Sequence, residues 1–323
     1  MKKAFITGIA GFAGSHLTEA LLEKNISVFG LFHPKHPIEN LEHIKDKITL
    51  VAGDILEAKK LKANLRSESW DYVFHLAAFS SPAQSFKNPQ KTLENNIVGE
   101  INLLEGLVSA KSKAKILIIG SADEYGRVEP KHLPIDENTP LSPTSPYAVS
   151  KVAQDLLGLQ YFINNKLQIV RVRPFNHIGP RQSHLFAIAS FAAQIAQCEK
   201  KGGGTIKVGN LDTSRDFTDV RDMVKAYILA LDEGELGEVY NLGSGQAVKM
   251  ADILKTMVSL SNAKIRIETD KSRLHSHDIK TIYCDSKKFR EKTGWAPKIP
   301  LETTLSDTID YEREKLQVRN TKL

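Results

Sequence analysis

Residues 3–14, Lys3-Ala4-Phe5-Ile6-Thr7-Gly8-Ile9-Ala10-Gly11-Phe12-Ala13-Gly14, decide the fold. Ala4–Thr7 is a short apolar run of the kind that forms a buried strand. Gly14–Lys24 carries Leu17, Ala20 and Leu21 at helical spacing, which predicts an amphipathic helix. The glycines between them permit a tight turn. They also let the backbone approach a pyrophosphate seated at the positive end of the helix. A helix-opening turn with incidental glycines would look similar in isolation. Placement straight after a strand favours a dinucleotide site, with Gly8, Gly11, Phe12 and Gly14 as its candidate residues.

Outward from this turn the same rhythm repeats. Ser27–Leu31, Ile48–Ala52, Tyr72–Ala77, Lys115–Gly120 and Gln168–Arg173 read as further strands. Helical patterns lie between them, notably Asn96–Ala110 and Tyr147–Ile163. Short apolar strands alternating with helices predict an α/β fold: a Rossmann-type, doubly wound parallel sheet covered on both faces. After Pro174 the segments shorten and the loops carry glycine, as in Gly202-Gly203-Gly204, Gly209, Gly243 and Gly245. The expected organisation is a cofactor domain over residues 1–174. A smaller, mainly substrate-binding C-terminal α/β domain is expected over 175–323, with some later segments rejoining the first.

The chain has 323 residues, 41% apolar and 25% charged, enough to bury a substantial core. Its net charge of +6 comes from lysines and arginines interspersed with acids. That pattern argues against a nucleic-acid partner and suits a small anionic substrate. No stretch has the length and apolarity of a membrane span, so no membrane association is expected. Cys198 and Cys284 lack metal-ligand spacing, and no metal site is expected. Two thiols, and an opening Met1-Lys2-Lys3 that runs straight into a strand, predict a cytoplasmic protein.

An acid usually follows the second strand to hold the ribose 2′-hydroxyl of NAD. Here the segment is Gly30-Leu31-Phe32-His33-Pro34-Lys35, without an acid. His33 and Lys35 either meet a 2′-phosphate or are solvated loop residues. The first reading makes NADP(H) the expected cofactor, with NAD(H) an alternative. Gly53-Asp54-Ile55 and His75-Leu76-Ala77-Ala78 end the third and fourth strands. Asp54, Ile55, Leu76, Ala77 and Ala78 are therefore candidates for the adenosine and ribose side.

Tyr147-Ala148-Val149-Ser150-Lys151 places a phenol and an ammonium one helical turn apart on one face. A phenol near pKa 10 is a poor acid–base group at neutral pH, and a neighbouring lysine is expected to lower it. Ser121 follows the fifth strand, where its hydroxyl can face a carbonyl. A lone Tyr-x-x-x-Lys is as readily a solvated helix face. In this order with the glycine turn and the serine, it reads as a proton-transfer site.

At this point the sequence resembles the extended short-chain dehydrogenase/reductase family, over nearly its whole length. Asn96-Ile97-Val98-Gly99 and Arg173-Pro174-Phe175-Asn176 are also typical of it. The resemblance implies that Ser121 and Tyr147 polarise a sugar carbonyl and that Lys151 also holds the nicotinamide ribose. It puts Asn176 near the substrate phosphates. Phe175–Pro180, Val208–Asp212 and Arg215–Asp222 are similar to segments of GDP-4-keto-6-deoxymannose reductases and GDP-mannose dehydratases. That likeness implies a GDP-linked sugar, with Val208 and Asn210 lining the nucleotide pocket and Arg215 on the diphosphate. Ser80, Ser81 and Arg181 complete the implied substrate contacts. A late Arg-Pro-x-Glu motif is replaced here by His275-Ser276-His277-Asp278, and Arg273 is the substitute cation. Gly294-Trp295-Ala296-Pro297 is read as packing. The resemblance also implies a homodimer through the Asn96–Ala110 and Tyr147–Ile163 helices.

The expected activity is NADPH-dependent reduction of a nucleotide-linked 4-keto-6-deoxy sugar. The rivals are a sugar 4,6-dehydratase, a 4-epimerase and a non-catalytic cofactor sensor. Dehydration needs a base beside the serine, where dehydratases of the family carry a glutamate. Here the stretch is Ser121-Ala122-Asp123-Glu124, so the shorter Asp123 holds that place. Glu124, one position on, should point elsewhere if the segment is extended.

Overall fold

A computed structural model of the chain describes residues 1–273 and 279–320. The strands are β1 (Lys3–Thr7), β2 (Ser27–Phe32), β3 (Thr49–Ala52), β4 (Tyr72–His75), β5 (Lys115–Ile119), β6 (Gln168–Pro174), β7 (Asn176–Ile178), β8 (Gly204–Val208), β9 (Ser214–Asp219), β10 (Val239–Leu242), β11 (Ala247–Lys249), β12 (Ile265–Thr269) and β13 (Thr281–Ile282). Seven of them form one parallel sheet, ordered β10-β6-β5-β4-β1-β2-β3.

The two-residue period of a strand explains why these runs are apolar throughout. In β1, Phe5 enters one core and Ile6 the other; in β4, Val73 and Phe74 divide the same way. Leu103, Leu104 and Leu107 cover one face, and Leu17, Leu21, Met223 and Tyr227 the other. The order reverses between β1 and β4. In such sheets that reversal opens a crevice at the carboxyl ends of the strands. Thr7 and His75 end these two strands, and Thr7 Oγ1 lies 2.8 Å from His75 Nδ1.

The second half is built from longer pieces than its glycines suggest. Its helices include Ala187–Lys200, Val220–Glu233 and Leu301–Asn320. Val220–Glu233 lies on the large sheet, and β10 pairs with β6 at its edge. The remaining strands form two small sheets: β7, β9, β11 and β13 in one, β8 and β12 in the other. They pack around Phe191, Ile195, Leu254 and Leu305. Trp295 is buried in the first core and donates to the Asp222 carbonyl at 3.2 Å.

Candidate active site

The Gly-rich turn is fixed by its own backbone. Gly8 adopts φ +74°, a left-handed conformation that side chains disfavour. Its N–H donates to Leu31, and its carbonyl accepts from Gly11, both at 3.0 Å. A Cβ on Gly8 would stand 2.8 Å from Ala77 N, and one on Gly14 would stand 2.3 Å from Gly8 O. The helix therefore starts at Phe12, two residues before the sequence expectation, with Gly11 as N-cap and no capping side chain. A close-packed glycine cradle opening a helix fits a dinucleotide pyrophosphate. Phe12 stacks on His177 of β7, with ring centroids 5.8 Å apart.

His33 sits at the end of β2 with Nε2 3.4 Å from Asp54 Oδ2. Lys35 is exposed beside it. The Ile55 side chain turns into the core, leaving only its backbone for a ligand. Beyond β4, Ala77 N donates to Thr7 Oγ1 at 3.2 Å. Asn96 grips Phe79 through both its N–H and its carbonyl, and donates to Ser150 Oγ at 2.9 Å. This latch joins the Leu76–Phe79 segment to the helix Pro146–Asn165, which carries Tyr147 and Lys151. Ser81 caps the short helix after it, and Ser80 is exposed.

Ser121 follows β5 after Gly120 and caps a 3-10 turn, Ala122–Glu124. The extended conformation expected here is thus replaced by a turn. Ser121 Oγ accepts from Asp123 N at 3.1 Å, and Glu124 Oε1 accepts from Ser121 N at 2.7 Å, a reciprocal capping box. Glu124 does point away from the crevice. It is fully buried and its Oε2 lies 3.1 Å from Arg173 Nε. Burial, then Asp155, push its carboxyl up to about 8 against the pull of Arg173.

Tyr147 is buried, with the Ser121 hydroxyl beside its phenol. Its phenol is held above the ordinary value, by burial first and Asp123 second. This corrects the expectation of a phenol lowered by Lys151. The lysine ammonium donates instead to the Ile119 carbonyl at 2.8 Å, and burial pushes it down to about 8. Burial also raises Asp123, while the Arg215 charge opposes that shift. Ser121, Asp123, Tyr147, Lys151 and Arg215 therefore belong to one electrostatic neighbourhood.

The other expected substrate residues make contacts within the chain. Arg181 is turned onto the first helix, with Nη2 2.7 Å from Glu19 Oε1 and Nη1 3.2 Å from Ser15 Oγ. It clamps the segment after β7 to that helix. The Val208 side chain is buried in the C-terminal core, which leaves its backbone as the only part able to line a pocket. Asn210 Oδ1 accepts from Asp212 N at 2.9 Å, which shapes the loop after β8. Arg273 Nη1 donates to the Lys207 carbonyl at 3.1 Å, so it closes the end of β8 beside Gly209. The His275–Asp278 segment lies outside the described residues. Asn176 is exposed at the start of β7 and donates to the Asp216 carbonyl at 3.3 Å. Among the described residues there is no cluster of metal-ligating side chains, and no helix is long and apolar enough to cross a membrane.

The family described as GDP-mannose 4,6 dehydratase matches residues 5–308. The chain belongs to that family. It is 35% identical to GDP-6-deoxy-D-mannose reductase of Pseudomonas aeruginosa, over 96% of this chain and 97% of that one. It is 30% identical to GDP-mannose 4,6 dehydratase 1 of Arabidopsis thaliana, over 97% and 90%. A solved structure of RMD from Pseudomonas aeruginosa complexed with NADPH is similar to it with a TM-score of 0.86 at 32% identity, covering 98% and 100% of the two chains. A UDP-glucose 4-epimerase from Thermotoga maritima with UDP-glucose gives 0.87 at 26%, covering 97% and 99%. This family member is an NAD(P)-dependent enzyme of the extended short-chain dehydrogenase/reductase type.

Sequence reasoning missed one buried feature of this enzyme. Behind Lys151 lies a buried polar cluster of Glu100, His75 and Gln154, each at most 2% exposed. Its signal is legible in retrospect. Glu100 occupies the position that starts the Leu103, Leu104, Leu107 stripe, and Gln154 follows Tyr147 and Lys151 on the same helix face.

Proposed function

We propose that the enzyme is an NADPH-dependent reductase of a 4-keto-6-deoxy sugar carried on a nucleoside diphosphate, GDP in the first instance. When bound, the cofactor supplies a hydride to the sugar C4. Tyr147 gives its phenolic proton to O4, so the ketone becomes a hydroxyl and Tyr147 is left as phenolate. A phenol held above its ordinary value keeps its proton at neutral pH, which is the state a reductase needs. The Ser121 hydroxyl donates to the developing alkoxide. Lys151 holds the nicotinamide ribose. Arg215 forks onto the diphosphate.

The observation that carries reduction over dehydration is the capture of Glu124 by Ser121 N and Arg173. The longer carboxylate is thereby withdrawn from the sugar, and only the shorter Asp123 remains beside Tyr147. Two parallel reactions test this. One gives the enzyme GDP-mannose with catalytic NADP⁺. The other gives it GDP-4-keto-6-deoxymannose with NADPH, beside UDP- and dTDP-linked analogues. NADPH consumption with the GDP-linked ketone is expected. Keto-sugar formation in the first reaction without NADPH consumption in the second would establish the dehydratase instead.

The same reading includes a homodimer working in the reducing cytosol. Val149, Leu156 and Ile163 recur every seven residues on the Pro146–Asn165 helix and are about half exposed, an apolar stripe suited to a second copy. Cys198 and Cys284 are both buried and unpaired. Light scattering of wild type and Leu156→Glu tests the dimer, with a halved mass expected in the variant.

A further inference from the structure

Asp216 lies in the middle of β9 and has no solvent exposure. A carboxylate is rarely found in such a place unless its charge is met by donors. Here its two oxygens collect four hydrogen bonds. Oδ1 accepts from Ser244 N at 2.8 Å and from Ser244 Oγ at 2.6 Å. Oδ2 accepts from Gly245 N at 2.8 Å and from Cys284 N at 3.2 Å. Bonds to an ionised acceptor are roughly twice as strong as neutral ones.

The donors come from two stretches that are distant from β9 in sequence. Ser244 and Gly245 belong to the loop between β10 and β11, and Cys284 follows β13. The loop is shaped for this contact. Gly245 adopts φ +78°, and a Cβ on Gly243 would stand 2.9 Å from Asp216 Oδ2 and 2.6 Å from Cys284 Sγ. The loop backbone therefore packs directly against the carboxylate. On the other side, the Asp216 carbonyl accepts from Asn176 Nδ2 at 3.3 Å. Arg215, the preceding residue, is in register with Val248 of β11 and Ile282 of β13. Successive strand residues point to opposite faces, so Arg215 leaves β9 on the face away from the buried carboxylate. It is half-buried there.

We propose that Asp216 is a positioning residue for nucleotide-sugar binding: its carboxylate gathers the 243–246 loop and the segment after β13 onto β9, and so fixes the strand from which Arg215 and Asn176 meet the diphosphate. Asp216 offers no surface to a ligand and acts through these two residues. The inference rests on the substrate roles given to Arg215 and Asn176.

The test uses wild type, Asp216→Asn, Ser244→Ala, the double variant and Arg215→Ala. Asparagine keeps the shape of Asp216 but turns one acceptor into a donor, which then faces N–H groups it cannot satisfy. Ser244→Ala removes one of the four donors and keeps the loop backbone. Calorimetry with GDP-mannose, beside UDP-glucose and dTDP-glucose, and fluorescence titration with NADPH measure the two affinities. Steady-state kinetics with the 4-keto sugar gives kcat and KM, and thermal melting reports the fold. In Asp216→Asn, nucleotide-sugar affinity is expected to fall about tenfold or more and KM to rise with it. The kcat at saturating sugar and the NADPH affinity are expected to stay near wild type. Ser244→Ala is expected to show a smaller loss of the same kind, and the double variant little beyond Asp216→Asn, because both substitutions break one shared contact. A lower melting temperature with unchanged nucleotide-sugar affinity overturns the proposal, as does an equal loss of sugar and NADPH affinity. If Asp216→Asn does not fold, Ser244→Ala decides: selective loss of the nucleotide sugar supports the proposal and unchanged affinity overturns it. Arg215→Ala separates the two levels. Lost affinity there with wild-type affinity in Asp216→Asn sinks the Asp216 role alone. Wild-type affinity in both removes the diphosphate reading and the proposal together.

Discussion

The carbonyl oxygen of Gly8 stands 2.3 Å from the point where a Cβ on residue 14 would begin. The neighbouring atom is backbone, so neither side can yield cheaply. Gly14→Ala is expected to push the first helix off the turn and open the anion cradle. Overpacking of this kind typically costs about 1–3 kcal/mol. A lower melting temperature and loss of NADPH binding by fluorescence titration are expected. Wild-type affinity in the variant would separate the glycine from cofactor binding.

Tyr147→Phe keeps the ring against the Pro146–Asn165 helix and removes the proton. Turnover is expected to fall about 10²- to 10⁴-fold, while NADPH affinity stays near wild type. Steady-state kinetics and direct titration read the two effects separately. Turnover close to wild type would mean that another group protonates the product.

Arg215→Ala is expected to weaken the nucleotide sugar far more than NADPH. The arginine lies on β9, away from the glycine turn, yet its charge reaches Asp123 beside Tyr147. Loss of a charge-assisted hydrogen bond costs about 1.5–3 kcal/mol, or roughly ten- to a hundredfold in affinity. Calorimetry with GDP-mannose and with NADPH measures both. Unchanged affinity for the diphosphate ligand would remove Arg215 from the substrate site.

His33 and Lys35 set the expected preference for NADPH over NADH. His33→Ala with Lys35→Ala is expected to lower kcat/KM for NADPH and bring the two cofactors closer together. Asp54 should then weigh more heavily, since its carboxylate lies 3.4 Å from the His33 ring and disfavours a 2′-phosphate once that ring is gone. An NADH preference already present in wild type would show that these residues do not read the phosphate.

Five of the first six strands are legible because burial on both faces writes itself as an apolar run; β3, at the edge of the sheet, has no fully buried residue and shows only its short Leu50-Val51-Ala52 stretch. β13 is two residues long, and β7 and β11 three each, too short to display any period. The Ser121–Glu124 turn was hidden for a different reason: its acids look solvated in isolation. The Ser-x-x-Glu spacing of a capping box is the signal that corrects an extended reading. The order of Ser121, Tyr147 and Lys151 pointed to one neighbourhood, and Ser121 does lie beside Tyr147. The side-chain directions of Arg181 and Arg273 were not legible. A cation can serve a phosphate or a neighbouring acid equally well, and Glu19 and Asp270 captured these two.

The return of β10 to the edge of β6 governs how this chain is made. Residues 1–174 already contain the Gly-rich turn and six of the seven large-sheet strands. A nascent chain halted there would present a bare row of peptide groups along β6, an open template for a neighbouring chain. Ribosomal synthesis must reach Leu242 before that row is closed. A truncation after residue 174 is therefore expected to aggregate, whereas one carried through β10 keeps the border sealed.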